Sequence, residues 1–219
     1  MTDYHSHCLF GIDDGAGSLE ESVLLLEMLK KQGADCVCLT SHFFPDTNLN
    51  DFLKTREEHF LKIKEAIKDK DVPKLVLGAE VAVFKGVSKV PGIAKLCYGN
   101  TKYMLLELPE TGYLPWMSDE IDSLVAKYKI KPVIAHIERC LPYYNKDFFE
   151  LFEFEDVVFQ LSTAVLQSFG MRQRVKALLK SGRSFIFGSD AHNTKRRAPT
   201  FDLLKKYIKE KNITDIDLH

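Results

Sequence analysis

Short apolar runs alternate along this chain with longer stretches in which apolar residues recur at a helical spacing. Each run is four or five residues long and rich in aliphatic or aromatic side chains, as in the buried strands of a parallel sheet. After an extended amino-terminal segment at 3–7, the runs are 36–40, 75–79, 103–106, 132–135, 157–161 and 185–189. Seven strands that alternate with helices predict an α/β fold.

The stretches between these runs predict helices. Ser18 and Glu21 fit a capping box at the start of the first helix, and Gly33 fits a left-handed stop at its end. Further helices are predicted at 51–70, 118–128, 171–181 and 201–211. The residues after 211 show no periodicity, so we expect a tail that frays or contacts another subunit.

A histidine or a carboxylate stands at the carboxyl end of most predicted strands. These residues are His5, His7, His42, Glu80, Glu107, His136, Asp190 and His192, whereas the strand at 157–161 has none. Residues two apart in extended backbone point to one side, so His5 and His7 converge. A TIM-like barrel brings the carboxyl ends of all its strands to one rim and is therefore favoured. An open doubly wound sheet ranks second because its two end strands lie apart.

The chemistry of these side chains predicts a metal cluster. Imidazoles mixed with carboxylates, and without thiolates, suit divalent ions such as Mn²⁺, Fe²⁺ or Zn²⁺. A catalytic ion uses about three protein ligands and an open position, so this many donors predict two or three ions. Clustered ions activate water and stabilise in-line displacement at phosphorus, and the pattern therefore predicts phosphoester hydrolysis.

Composition sets further bounds. A chain of 219 residues with 45% hydrophobic content can form one sizeable core, which predicts a single domain over 1–219. The 30 basic and 31 acidic residues leave a net charge of −1, so nothing indicates nucleic acid. No signal peptide or membrane-spanning stretch is evident, and five cysteines without a secretory segment indicate reduced thiols in the cytoplasm.

A covalent nucleophile is not indicated by the sequence. None of the five cysteines is followed six positions later by an arginine, as a phosphate-cradling cysteine loop requires. A Walker loop and a Gly-x-Ser-x-Gly elbow are also absent from the sequence. Metal-assisted hydrolysis is therefore the favoured reaction.

Several short motifs follow one another in a recognisable order. They are His5-Ser6-His7, Gly-Ile-Asp-Asp-Gly-Ala at 11–16, Thr40-Ser41-His42, Gly78-Ala79-Glu80, Ala-His-Ile-Glu-Arg at 135–139 and Gly-Ser-Asp-Ala-His-Asn at 188–193. In this order the chain resembles the PHP (polymerase and histidinol phosphatase) superfamily, and within it the bacterial CpsB/CapC-like protein-tyrosine phosphatases. The resemblance implies a distorted (β/α)7 TIM-like barrel and a metal cluster that is commonly Mn²⁺. It also implies hydrolysis of phosphotyrosine on an autophosphorylating kinase that controls capsule or exopolysaccharide synthesis.

The resemblance implies roles for individual residues. One metal would bind His5, His7, Glu80 and Asp190, a second Asp14, His42 and His192, and a third Glu107 and His136, with Glu80 bridging. Arg139 and Arg197 would bind the phosphate, since a guanidinium pairs bidentately with phosphoryl oxygens. Asp13 remains an alternative to Asp14, and Arg196 an alternative to Arg197.

Three other functions stay open. A small-molecule phosphatase of the histidinol-phosphate type would use the same fold and metals but would need a closed pocket. A hydrolase of amides or phosphodiesters is disfavoured because no lysine stands where a carbamylated bridging ligand is expected. A non-catalytic regulatory module is disfavoured because every expected ligand is present.

Three further residues, two aromatic and one histidine, are predicted to lie outside the metal cluster. Phe44 and Trp116 follow ligand strands and are candidates for a wall against a substrate ring, with packing as the alternative. His59 lies among charged residues of a predicted helix, and we expect it to be a solvated surface histidine.

Overall fold

The computed structural model describes residues 1–140 and 157–218. Its strands are β1 (Thr2–Ser6), β2 (Cys36–Leu39), β3 (His42–Phe43), β4 (Lys74–Leu77), β5 (Glu80–Ala82), β6 (Tyr103–Glu107), β7 (Lys131–Ile134), β8 (Val158–Ser162) and β9 (Ser184–Gly188). The α-helices are α1 (Leu19–Lys31), α2 (Leu49–Ala66), α3 (Pro115–Tyr128), α4 (Ile137–Cys140), α5 (Phe169–Leu178) and α6 (Asp202–Tyr207). Short 3-10 helices lie at Val87–Lys89, Ile93–Leu96, Thr163–Gln167 and Glu210–Asn212. Within the described ranges, no helix has the length and apolar character needed to cross a membrane.

The strands form two sheets in which every neighbouring pair is parallel. One sheet has the order β1-β2-β4, and the other has the order β3-β5-β6-β7-β8-β9. The predicted parallel α/β fold is therefore confirmed. The strands β2 and β4, which correspond to the predicted runs at 36–40 and 75–79, are each followed, after two residues, by a short strand that belongs to the other sheet. These short strands, β3 and β5, begin at His42 and Glu80.

Backbone hydrogen bonds join the two sheets at two places. At the first junction, the amide of Glu80, the first residue of β5, donates at 3.1 Å to the carbonyl of Thr40, which directly follows β2. At the second junction, the amide of Asp190 donates to the carbonyl of His5 at 2.7 Å, just beyond the end of β9. Gly188 permits this approach, since a Cβ there would lie 2.3 Å from the Cβ of His5. The end of β9 is therefore packed directly against β1.

Both faces of the sheets are covered by apolar side chains. On β6, Met104 and Leu106 belong to the core layer beneath the helices, whereas Leu105 belongs to a second cluster with Tyr4 and Val133. Alternate residues of a strand point to opposite faces, which explains why successive residues enter different clusters. A sheet buried on both sides accounts for the nearly continuous apolar runs in the sequence.

The start of α1 departs in part from the predicted capping box. The hydroxyl of Ser18 accepts from the amide of Glu21 at 3.2 Å, as predicted. The Glu21 carboxylate, however, accepts from the amides of Gly17 at 3.1 Å and Thr194 at 3.2 Å. Glu21 thus ties the start of α1 to the loop after β9. The helix ends before Gly33, whose φ of 96° confirms the predicted left-handed stop.

Some predicted helix boundaries were wrong by a few residues. Helix α2 begins earlier than position 51 because Asn48 caps it, accepting from the amides of Asn50 and Asp51. The last predicted helix, 201–211, is divided into α6 and a short 3-10 turn.

The prediction of a fraying tail was wrong for residues 213–218. Ile216 is buried, and its amide donates to the hydroxyl of Tyr4 at 2.9 Å. The amide of Thr214 donates to the carbonyl of Phe185 at 2.8 Å. This segment is held by polar contacts with β1 and β9, and contacts of this kind leave no periodicity in the sequence. His219 lies outside the described residues.

Arg56 stabilises the break between β4 and β5. Its guanidinium is buried and donates to the carbonyls of Gly78 at 2.8 Å and Lys95 at 3.2 Å. Gly78 precedes Glu80 by two residues, so this donor supports the backbone that presents Glu80.

Arg56→Ala should lower the free energy of unfolding by about 2–4 kcal/mol, because two buried carbonyls lose a charged donor. Urea denaturation of the metal-free protein measures this loss. Arg174→Ala, an exposed change on α5, is the matched control and should stay within about 0.5 kcal/mol of the parent. Equal unfolding midpoints for the two variants would show that Arg56 does not support the break.

Candidate metal centre

All the predicted donors lie together, although His42 and Glu80 begin the short strands β3 and β5 and the others stand at or after the carboxyl ends of their strands. Three groups offer ligand atoms that lie within 4.8 Å of one another, namely His7, Asp14, His42 and His192; His5, His7 and Asp190; and His42, Glu80 and Glu107. His136 joins them, with its Nε2 3.3 Å from Glu107 Oε1. The structure thus brings together every residue that was predicted as a metal ligand.

Glu80 lies at the middle of the cluster and is buried. Its Oε2 lies 3.1 Å from His5 Nε2, from His7 Nε2 and from His42 Nδ1. Its other oxygen, Oε1, lies 2.9 Å from His136 Nε2. One carboxylate therefore faces four imidazoles that come from three strands, namely β1, β3 and β7.

Two of the donors adopt strained backbone conformations. His136 has φ 29° and Asp190 has φ 52°, and each stands two residues after the end of a strand, β7 and β9 respectively. Residues other than glycine rarely occupy this region, and such strain is concentrated at functional sites. The amide of His136 is held by Gln160 Oε1 at 2.6 Å, which helps to fix the unusual turn.

Asp13 and Asp14 have different positions although they are neighbours. Asp13 Oδ2 lies 2.8 Å from His7 Nδ1 and also accepts from the amide of His42 at 2.9 Å. Asp14 Oδ1 instead lies 3.3 Å from His192 Nε2 and 3.6 Å from His42 Nε2. The geometry favours Asp14 as the metal donor and Asp13 as the group that orients His7.

Gln160 contacts the cluster, although the sequence did not identify it as a candidate site residue. It lies on β8, the strand without a predicted ligand, and its Oε1 accepts from His5 Nδ1 at 3.0 Å. This bond leaves His5 Nε2 directed at the cluster. A single amide in the otherwise apolar run at 157–161 was the available signal.

Unpaired buried atoms show that the cluster fits metal ions. Within the described ranges, Glu80 Oε2, His42 Nδ1 and His192 Nε2 are buried and make no hydrogen bond. Buried polar atoms are nearly always satisfied, so atoms that face one another without bonding need another partner. A divalent cation with nitrogen and oxygen ligands satisfies such atoms.

The electrostatics of the cluster are those of a cation site. Burial disfavours a charged imidazole, but Asp13 and Glu80 outweigh it and raise the pKa of His7 to about 10. Burial likewise opposes charge on His136, yet Glu107 and Glu80 raise its pKa to about 10. The carboxylates that would share a cation with these rings therefore also attract protons to them. Burial and the charge of His7 lower the pKa of His192 to about 4.

Two arginines stand at the more exposed side of the cluster. Arg139 Nη2 contacts Asp190 Oδ2, and Arg197 Nη2 lies 3.1 Å from the same oxygen. Arg197 Nη1 also lies 3.3 Å from Asp14 Oδ2. Arg196, the sequence-based alternative to Arg197, is exposed. The geometry thus favours Arg139 and Arg197 as the pair that faces the centre.

The cysteines lack the properties of nucleophiles. All five are free, and four of them are buried. Burial raises the pKa of Cys97 to about 11 and the pKa of Cys140 to about 12. Both thiols therefore stay protonated at neutral pH, and the thiolate is the reactive form.

The expectation for His59 was wrong in one respect. His59 lies outside the cluster, as expected, but it is half-buried. Its Nδ1 lies 2.7 Å from the carbonyl of Phe10, and the two rings stack with centroids 4.3 Å apart. His59 therefore anchors the loop that carries Asp13 and Asp14.

The fold and the cluster together define a parallel α/β protein with a histidine and carboxylate centre of the kind that holds divalent metals. The chain belongs to the CpsB/CapC family of capsular polysaccharide synthesis, whose sequence profile matches residues 1–217. The family membership predicted from the motifs is confirmed.

Individual relatives agree with this membership. Tyrosine-protein phosphatase YwqE of Bacillus subtilis is 29% identical over 211 residues, which cover 90% of this chain and 79% of the relative. Tyrosine-protein phosphatase CpsB of Streptococcus pneumoniae is 29% identical over 228 residues, which cover 94% and 91%. A crystal structure from work on these two proteins, described as unique metal-dependent tyrosine phosphatases, has the same fold. Its TM-score is 0.75 at 24% identity, and the match covers 97% of this chain and 90% of that chain.

Gln160→Leu should weaken binding of Mn²⁺ by about 10- to 100-fold, because His5 loses the acceptor that fixes its ring. Calorimetric titration of the metal-free protein with Mn²⁺ measures the affinity. Gln173→Leu, an exposed change on α5, should bind as the parent does. An unchanged affinity in Gln160→Leu would mean that His5 needs no partner on β8.

Proposed function

We propose that this chain is a metal-dependent protein-tyrosine phosphatase. The observation that carries the proposal is the buried cluster around Glu80, with Arg139 and Arg197 placed over Asp190. The names of the curated relatives support phosphotyrosine as the substrate class. The family description supports a role in capsular polysaccharide synthesis. The partner that we assign, from the resemblance of the motifs, is the phosphotyrosine tail of a bacterial tyrosine kinase that controls capsule or exopolysaccharide synthesis.

The cluster is assigned to two or three ions, with Mn²⁺ favoured and Fe²⁺ or Zn²⁺ as alternatives. His5, His7 and Asp190 would hold the first ion together with Glu80, and Asp14, His42 and His192 the second. Glu107 and His136 would hold the third, with Glu80 bridging. His42 lies between groups, because its Nδ1 is 3.1 Å from Glu80 and its Nε2 is 3.6 Å from Asp14.

The architecture that supports this site is a distorted (β/α)7 barrel of the PHP type. In this assignment β2 with β3, and β4 with β5, each count as one interrupted strand. The two junctions between the sheets support closure, one at Thr40 and Glu80 and the other at His5 and Asp190. The chain is assigned to one domain, since residues 213–218 pack against β1. The free cysteines fit a reducing compartment such as the cytoplasm.

The reaction is hydrolysis in a single displacement. Bound divalent ions supply Lewis acidity and an activated water at such a centre. Arg139 and Arg197 bind the equatorial phosphoryl oxygens and stabilise the charge that develops on them. Asp190 holds both guanidinium groups toward the centre. The tyrosine leaves as a phenolate, and because the phenol pKa is about 10, a dedicated general acid is dispensable.

Metal-stripped protein should be inactive and should regain activity with Mn²⁺, binding more than one ion per chain by elemental analysis.

The reconstituted protein should hydrolyse phosphotyrosine peptides with a higher kcat/KM than phosphoserine peptides or histidinol phosphate, because a phenolate is the better leaving group. His136→Ala should abolish turnover with an unchanged circular dichroism spectrum. A clear preference for histidinol phosphate would contradict the assignment of phosphotyrosine as the substrate. A single bound ion per chain would contradict the assignment of two or three ions to the cluster.

Arg139→Ala and Arg197→Ala should each lower kcat for a phosphotyrosine peptide by about 10²-fold, the effect of losing one transition-state donor. Metal content should not change, since neither arginine is a ligand. Arg196→Ala is the matched control, because Arg196 is the exposed neighbour of Arg197. If Arg196→Ala proved as harmful as Arg197→Ala, the assignment of the phosphate-binding pair would be wrong.

A further inference from the structure

A cavity opens beside the cluster, next to His42 and Asp14. Its volume is about 390 Å³, and its lining residues are Ile12, Asp13, Asp14, His42, Phe44, Thr47 and Phe52. Pockets for small organic groups have volumes of roughly 300–1,000 Å³ and combine apolar walls with a few polar groups. Here the polar groups belong to the cluster itself, and the apolar walls come from the loop before α1 and the segment after β3. The cavity is therefore continuous with the centre that would bind the phosphoryl group.

Phe44 presents an aromatic ring to this cavity. The residue is 43% exposed, whereas its neighbour Phe43 is buried in the core. The Phe44 ring stacks on the imidazole of His42, with centroids 4.8 Å apart and an interplanar angle of 21°. An exposed phenylalanine at this position has no role in core packing, so its contact with a cluster residue requires another explanation.

The backbone holds Phe44 in place. Its amide donates to the hydroxyl of Thr47 at 3.2 Å, and its carbonyl accepts from the amide of Thr47 at 3.0 Å. Both bonds close the short turn that follows β3. These bonds fix the backbone of Phe44, and the stacking on His42 positions its ring before any ligand binds, which reduces the entropic cost of binding against it.

We propose that this cavity binds the aromatic ring of the phosphotyrosine substrate, with the Phe44 ring and Ile12 as its walls. The inference rests on the proposed phosphatase function and names the residues that recognise the ring. The phosphoryl group occupies the centre, and the phenyl ring attached to it enters the cavity past Asp14 and His42. Offset or edge contacts between aromatic rings add to the gain from burial, so Phe44 favours aryl over alkyl phosphate monoesters.

The test compares two phosphonates that differ in the ring alone. Phenylphosphonate and methylphosphonate share the anionic group, and calorimetry on Mn²⁺-loaded protein gives their dissociation constants without turnover. Phe44→Ala should weaken phenylphosphonate by about three- to tenfold and leave methylphosphonate unchanged. Phe44→Tyr, which keeps the ring, should retain the preference of the parent.

Two apolar controls and two structural readouts accompany these variants. Leu61→Ala removes a side chain that is 55% exposed on α2, away from the cavity lining, and should change neither constant. Leu114→Ala removes one that is 48% exposed on the loop after β6, where a ring could alternatively lie. Metal content and Tm should be the same in all variants, because Phe44 contributes no ligand atom and little buried surface.

The outcomes separate this inference from the proposed function. An equal loss of both phosphonates in Phe44→Ala would mean that Phe44 supports His42 and would overturn the inference. A selective loss of phenylphosphonate in Leu114→Ala, with Phe44→Ala unchanged, would place the ring elsewhere and also overturn it. If the loaded protein left phosphotyrosine peptides intact while the ring preference still depended on Phe44, the proposed function would fail and the ring subsite would stand.

Discussion

The structure depends on the buried carboxylate of Glu80. A carboxylate in this position is costly unless opposite charges and hydrogen-bond donors surround it. Four imidazoles surround Glu80, and although burial raises its pKa, the attraction of His5, His7 and His136 holds that pKa well below the usual range. These rings come from separate parts of the chain, so the carboxylate specifies how the strand ends must meet. Protons or metal ions can balance the same negative charge, and this is why one arrangement serves both the fold and the proposed reaction.

The sequence predicted the donors well because each is a local signal. A strand of four or five residues has its carboxyl end at a definite place, and a polar side chain there stands out from the apolar run. His42 and Glu80 were found in this way, although the short strands that they begin were not. A strand of two or three residues has too few positions for a periodicity, and the breaks before β3 and β5 depend on partners such as Arg56.

Other parts of the site could not be predicted because they depend on contacts distant in sequence. Gln160 meets His5 across 155 positions, and no property of the apolar run at 157–161 indicates which ring the amide will bind. The separate positions of Asp13 and Asp14 follow from how one loop lies against His7 and His42. The carboxyl-terminal segment lacks periodicity because its contact with Tyr4 uses few residues.

The pairing of β1 has a consequence for how the chain folds. This strand pairs with β2, meets the end of β9 at His5, and bonds through Tyr4 to Ile216, which is 212 positions away in sequence. During synthesis β1 can therefore not complete its contacts with β9 and Ile216 until these later parts of the chain have emerged. Contacts this distant make folding slow and leave strand edges exposed in the meantime. His5 and His7, in and just after β1, are the first part of the proposed centre to be made, and the last to acquire their complete surroundings.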